Sequence, residues 1–570
     1  MKKIRNLFIM FLAAALMVGC GGLNKMKKNA GDVRYDVRPS VLEAHGGMVP
    51  VTISGVFPEK YFDKKTTLTA TPVLAYSNGE VPFGSVQVLQ GEKVQANNRV
   101  INYSGGNFTY NSAVPYTENL KISDLVLKIT AARGAKSLNF DPIKLADGVI
   151  ATSTLVENYG RPIIMPDKFE RIIRETGVAE IPYIMNRTEL QSRTLRADDI
   201  LSLRQYINDV NIDPDREFKT TVVSSYASPE GPFALNQRLS VGRGSTADKF
   251  IRNEFKNIEA AQVANFFDER LTAEDWEGFR TAVENSNIRD RDLILRVLSM
   301  YSDPIVRERE IKNMSAAYEA LKTDILPKLR RSVMVVNVDK IGRSDAQILA
   351  AMRGTSNVLD VEEMLYSATL TNDLNEKLRF YQTAASAFPR DIRTQNNVGC
   401  TFLALGQVDN AIAAFERARA IENNDVVKNN LGMTAIAKGD FARAGEYFSS
   451  MTAATAESRW GLGVIAVTKG EYDQAINYFG SESSVNNALA LILKGDNNRA
   501  RTMLDGIQDS FGGKRDYLKA VVGARLDDRT YMMNGLRAAF GADAAWKNFA
   551  KTDLEFAKYF YDDAFRSAIQ

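Results

Sequence analysis

Between residues 399 and 479 the chain repeats itself. Aligned on Gly399, Gly432 and Gly463, the residues three positions on are Phe402, Ala435 and Ala466. Seven on stand Gly406, Gly439 and Gly470, twelve on Ala411, Ala444 and Ala475, and sixteen on Phe415, Phe448 and Phe479. A unit of 31 to 33 residues, the spacing of these glycines, cannot bury its own apolar face, so successive units must stack. Small residues let paired helices approach closely, and each aromatic fills the space beside them. The glycines seven positions on fall at helix-to-helix turns. Ala488, Gly495, Ala500 and Leu504 continue the frame in a shortened unit, and Ala520, Asp527, Met532 and Leu536 continue it again. Upstream, Tyr381, Ala384 and Pro389 fit the second helix of an earlier unit. The amphipathic end, "KTDLEFAKYFYDDAFRSAIQ", is suited to cap the last one.

This spacing resembles the tetratricopeptide repeat, which implies an α-helical solenoid over 360–570. The resemblance places function on the concave face, where an extended peptide or a partner helix would lie. Polar residues on the first helix of each pair are the candidate contacts: Asn396, Asn397, Asn429 and Asn430. An asparagine amide can hydrogen-bond a peptide backbone without specifying its side chains. Solvated helix residues are the alternative reading of the same four. Cys400, beside Gly399, reads as a buried, inert thiol.

The chain has 570 residues, too many for one core, and about three to four domains are expected. From 32 to 155 the pattern has period two. "VPVTISGVF" (49–57), "TTLTATPVLAY" (66–76), "VPFGSVQVL" (81–89) and "DLVLKITAA" (124–132) alternate apolar and polar residues between turn signals. They predict an antiparallel β-sandwich. His45 is the only histidine, so neither a His-based metal site nor a serine–histidine triad is expected.

The middle of the chain mixes both periods. "IPYIMNRTEL" (181–190), "FKTTVVSSYAS" (218–228) and "RRSVMVVNV" (330–338) read as strands. Ile200, Leu203, Ile207 and Val210 have helical spacing, and "ALNQRLSVGRGSTADKFI" (234–251) reads as a second helix. Tyr226, Ala227, Gly231, Asn236, Leu239, Ser240 and Arg243 fall in register with the OmpA-like C-terminal domain, and "YASPEG" resembles its Bacteroidetes variants. The resemblance implies an α+β domain over 175–345, with a helical insertion from about 256 to 328 capped by Thr272 with Asp275 following. It also implies a peptidoglycan clamp in which an Asp takes an ammonium and an Arg takes a carboxylate. Arg243 holds the Arg position. Ser228 stands where the Asp would be, Glu230 is a substitute for the missing charge, and Asn236 is a structural or ligand-contacting amide. The run Gly242-Arg243-Gly244-Ser245-Thr246-Ala247 matches a dinucleotide fingerprint in letters only, because its glycines fall inside the helix rather than at the strand-to-helix turn.

The beginning, "MKKIRNLFIMFLAAALMVGCGG", has a basic start, an apolar run and small residues, as a secretory signal does. Its end resembles a bacterial lipobox. That implies a signal peptide over 1–19, lipidation at Cys20 and a tether over 20–31. The only other cysteine is Cys400, so no intramolecular disulfide is expected in the mature chain. The residues after Cys20 are not acidic, which favours a periplasm-facing protein on the outer membrane. Net charge is +3 with no basic stripe, so nucleic acid is not an expected partner. No cofactor is expected and no acidic pair sits in a catalytic frame, so the chain reads as a non-enzyme. Together these features predict a lipid-anchored envelope scaffold linking membrane, peptidoglycan and protein partners. The alternative is an accessory subunit of an outer-membrane secretion or surface-assembly complex that binds no wall.

Overall fold

The alternating stretch at 49–57 becomes the strand Met48–Phe57, with Val49, Val51, Ile53 and Phe57 buried on one face. A computed structural model describes residues 21–354 and 356–570 of the chain. It divides into two units: one joins the residues up to Met165 with Asp373–Gln570, and the other is Pro166–Asn372.

In the first unit Met48–Phe57 lies between Arg34–Arg38 and Gly106–Pro115, all antiparallel. A seven-stranded sheet built on Thr67–Tyr76 and Ser123–Arg133 faces it, and both sheets contribute to one core. This is the sandwich that period two implies, with two departures. The expected strand at 81–89 splits into Gly79–Pro82 and Gln87–Gly91, since Pro82 has no amide hydrogen to extend the ladder. Gln87–Gly91 pairs with Arg99–Ile101 in parallel. The expected tether is in part a helix, Gly21–Lys28, packed on the sandwich. Leu23 and Met26 are buried in its core, and the Tyr61 hydroxyl donates to the Met26 carbonyl at 3.1 Å. The apolar pair spaced at i, i+3 outweighs the polar residues around it. Cys20 and the signal segment lie outside the described residues.

The rest of the first unit is helical. Helices Ile392–Ala404 and Val408–Ile421, Asp425–Lys438 and Phe441–Ser449, Ala456–Lys469 and Tyr472–Phe479, and Val485–Lys494 and Asn497–Gly506 form successive pairs. A further pair, Lys514–Arg525 and Arg529–Ala542, follows. A Cβ on Gly399, Gly432 or Gly463 would stand 2.6, 2.4 or 2.4 Å from a ring carbon of Phe415, Phe448 or Phe479. The repeat's small residue and aromatic are therefore one contact. Gly406, Gly439, Gly470 and Gly495 turn the chain at positive φ, and Asp527 takes the same conformation at the fifth turn.

Sandwich and solenoid are joined by polar contacts within this unit. The Arg525 guanidinium reaches Glu43 at 2.6 Å and Glu555 at 2.5 Å, and the Thr152 hydroxyl donates to Glu555 at 2.5 Å. Burial works against the charge on Arg525, but the two carboxylates outweigh it and hold the guanidinium above the ordinary arginine range. His45 Nδ1 shares a 2.8 Å hydrogen bond with the Tyr472 hydroxyl, so the lone histidine is a junction residue.

The second unit carries a four-stranded sheet in the order Ile172–Pro182, Arg331–Ile341, Arg216–Tyr226, Phe267–Thr272. Helices Asp198–Ile212 and Phe233–Glu254 bury Ile200, Leu203, Ile207, Ala247 and Ile251 against one face. The first strand begins earlier than its sequence suggests and ends at Pro182, leaving 183–190 outside it. The fourth strand lies inside the expected helical insertion and pairs in parallel with Arg216–Tyr226. Its polar, exposed sequence "FDERLT" hides its strand character. Thr272 ends this strand rather than capping a helix. The cap of the helix Trp276–Glu284 is Asp275, which accepts from the Gly278 amide at 2.8 Å. Gly242 and Gly244 lie inside Phe233–Glu254, where a Cβ would stand 2.7 Å from Thr188 and 2.4 Å from Glu269. Helix Val361–Ser367 groups with this unit, and the chain returns to the first unit at Asp373.

Candidate functional site

Asn397, Asn430 and Asn486 occupy the same place in their repeats, two residues before Gly399, Gly432 and Ala488. All three are 1% exposed or less. A buried amide without partners is costly, so each needs a hydrogen-bonding group within reach. Each finds it in one extended stretch of the same chain, 156–165, which is neither helix nor strand.

The contacts form a ladder. Asn486 Oδ1 accepts from the Glu157 amide at 2.7 Å, and its Nδ2 donates to the Glu157 carbonyl at 2.8 Å. Asn430 holds Ile163 in the same way, at 2.7 and 2.9 Å. Asn397 holds Met165 at 2.9 and 2.8 Å. In each case one side-chain amide binds both polar groups of one residue, as a neighbouring strand does in an antiparallel sheet. Asn396 Nδ2 and Cys400 Sγ add donors to the Ile163 carbonyl, at 3.0 and 3.3 Å. Cys400 is thus a buried thiol, and burial raises its pKa well above the ordinary range.

The third repeat has Gly461 at the ladder position and Trp460 before it, so its contact is different. The Tyr159 ring lies 5.4 Å from the Trp460 ring, and the Arg161 guanidinium lies 4.4 Å from it. Arg161 also reaches Glu482 at 2.6 Å. Between these side chains, Gly160 comes so close to the solenoid that a Cβ would stand 2.6 Å from Leu403 and 2.9 Å from the Met433 carbonyl. Leu155 and Met165, at either end, are buried in the solenoid core.

Of the four candidate asparagines, Asn396, Asn397 and Asn430 touch a peptide backbone, and it belongs to this chain. None of the four is a solvated helix residue. Asn429 does not reach the segment; its Nδ2 donates to Asn430 Oδ1 at 3.0 Å and its Oδ1 accepts from Thr455 at 3.3 Å, so it orients its neighbour. Asn486 was not among the candidates. Its repeat is shortened and anchored on alanine, but the frame itself marks the position. Asn430→Ala should orphan the Ile163 amide and lower stability by about 2–3 kcal/mol, read by urea denaturation of the full chain.

The residues of the expected wall clamp lie around the end of the strand Arg216–Tyr226. Ser228, Asn236 and Arg243 are 4%, 3% and 1% exposed. The Ser228 hydroxyl donates to Glu230 at 2.7 Å, and Arg330 binds the same Glu230 oxygen at 2.7 and 3.0 Å. Glu230 therefore neutralises Arg330 instead of standing free for a ligand ammonium. Asn236 donates to the Gly231 carbonyl at 2.8 Å, which closes the loop. Arg243 spends Nη1 on the Tyr226 carbonyl at 2.8 Å and Nε on the Arg187 carbonyl at 3.2 Å. Burial pulls its pKa down to about 10, and Arg330 acts in the same direction. Arg330 is distant in sequence from the loop it completes and carries no local signal.

Residues 392–425, a helix pair of the ladder, match the family described as "Tetratricopeptide repeat". That stretch is a tetratricopeptide repeat. No curated protein matches the chain. Among solved structures, YrrB, a TPR protein with an unusual peptide-binding site, aligns with 38% of this chain and 100% of its own at 16% identity, with a TM-score of 0.21. The APC/C hetero-tetramer Cut9–Hcn1 aligns with 66% of this chain and 82% of its own at 14% identity, with a TM-score of 0.31.

Proposed function

We propose that this chain is a non-enzymatic, lipid-anchored scaffold of a bacterial envelope whose tetratricopeptide repeats serve protein–protein interaction. The observation that carries the scaffold reading is the repeat solenoid itself, with its ladder of backbone-binding amides. The anchor rests on the sequence around Cys20. The helix Gly21–Lys28 packed on the sandwich supports a short connection, because little free chain would separate the lipid from the folded unit.

The middle unit resembles an OmpA-like domain in its motif, but we assign it a protein-docking role rather than wall binding. The Glu230–Arg330 pair and the buried Arg243 favour this version, since the groups a stem peptide would need are taken up within the chain. The corresponding reading is an accessory subunit of an outer-membrane secretion or surface-assembly complex. Two fractionations test the reading. Cys20→Ser should leave the membrane fraction and accumulate as precursor; unchanged membrane partition would remove the anchor. The wild-type chain should stay in the supernatant with purified sacculi at low salt. Cosedimentation abolished by Arg243→Ala in a chain that still folds would restore the wall clamp.

A further inference from the structure

Asn396, Asn397, Asn430 and Asn486, all buried on the first helices of the repeats, face the groove and bind the segment in it. A groove lined with so many buried amides is unfavourable when empty, because the amides facing it need a backbone to bind. The resident segment supplies one, yet nothing in the ladder depends on its being the same molecule. At Glu157, Ile163 and Met165 the asparagine side chains bind only main-chain groups of the segment. Selectivity lies between them, at two adjacent residues. Gly160 is required because Leu403 and the Met433 carbonyl leave no room for a Cβ. Arg161 is selected by the Trp460 face and the Glu482 carboxylate together. A cation on an aromatic face with an acidic partner suits a guanidinium particularly well. Trp460 is 1% exposed, and its indole N–H has no hydrogen-bond partner among the described residues.

Resting on the interaction-scaffold reading of the repeats, we propose that this groove is a binding site for an extended partner peptide carrying Gly-Arg, with an apolar residue four positions after the arginine, where Met165 is buried in the solenoid core. Residues 156–165 are its resident competitor. The chain's own Gly160-Arg161, with Met165 following, defines the pattern. Because the resident is tethered, it competes at an effective concentration on the order of millimolar. If the resident segment itself binds the vacant groove at about 1 μM, any partner would see an apparent affinity about a thousandfold weaker while the resident is in place. Weakening the resident therefore opens the site.

The probe is a fluorescent synthetic peptide of residues 156–165, titrated into the full chain and followed by anisotropy. Arg161→Ala in the protein should tighten binding of the unaltered peptide at least tenfold over wild type. The same peptide with its arginine replaced by alanine should bind that variant at least tenfold more weakly than the unaltered one. Gly160→Val, which pushes the resident out by steric conflict, is the second variant and should tighten binding more than Arg161→Ala does. Circular dichroism of both variants establishes that they are folded. Equal affinity of wild type and both folded variants, absence of binding to all three, or indifference to the peptide's arginine would overturn the proposal. The envelope-scaffold reading would survive those outcomes, since its fractionations, of Cys20→Ser and of the chain with sacculi, do not depend on the groove.

Discussion

Phe415→Ala should destabilise the repeat-bearing unit by about 3–5 kcal/mol, the range for truncating a buried aromatic. Phe415 is fully buried, and its ring edge lies where Gly399 has no Cβ. The helix Ile392–Ala404 is held at its ladder position by Asn397 and the segment beneath it, which opposes its collapse into the gap. The check is the free energy from a urea transition of the full chain. Ile421→Ala, a half-exposed position on the same helix, is the control. A loss no larger than the control's would mean that the helix pairs are registered differently.

Arg525→Ala should cost a similar amount, about 3–5 kcal/mol, for an electrostatic reason. Removing the guanidinium leaves Glu555, 3% exposed, without its cation, and Glu43 loses the same partner. The deficit should depend on pH. Burial already raises Glu555, and Arg525 is the group that pulls it back. Without Arg525 the folded-state pKa lies further above the unfolded value. For a group raised in this way, stability is fully present below the unfolded pKa and is lost as pH rises through the folded pKa. The variant's deficit should therefore be largest near neutrality and shrink as pH falls toward 4. A deficit that does not change with pH would mean that Arg525 acts through packing rather than charge.

Short-range patterns revealed much of this molecule. The spacing from Gly399 to Phe415 gives the helix pairs, because the two residues are in one contact that recurs along the solenoid. Alternation gives the sandwich strands because one face of each is buried. What stayed hidden depends on partners far away in sequence. The stretch 156–165 has neither helical nor strand period, since its hydrogen bonds go to side chains rather than to a regular backbone. Asn397, Asn430 and Asn486 are polar residues at buried positions, and only the segment they hold explains them. The same is true of Glu230, which a local motif offers to a ligand and Arg330 claims. The strand Phe267–Thr272 was missed for a different reason. It lies at a sheet edge, and its mostly exposed side chains leave no apolar alternation to read.

The claim that the repeat groove is filled by the chain's own segment is tested most directly by amide hydrogen exchange at Glu157, Ile163 and Met165 in the full-length protein. These residues lie outside any helix or strand, yet their amides are bound by buried side chains. The account predicts exchange as slow as in the surrounding helices Asp425–Lys438 and Ile392–Ala404, and a selective loss of protection at Ile163 in Asn430→Ala. Exchange at the rate of an unstructured peptide in the wild-type chain, with those helices still protected, would show an unfilled groove and contradict the account.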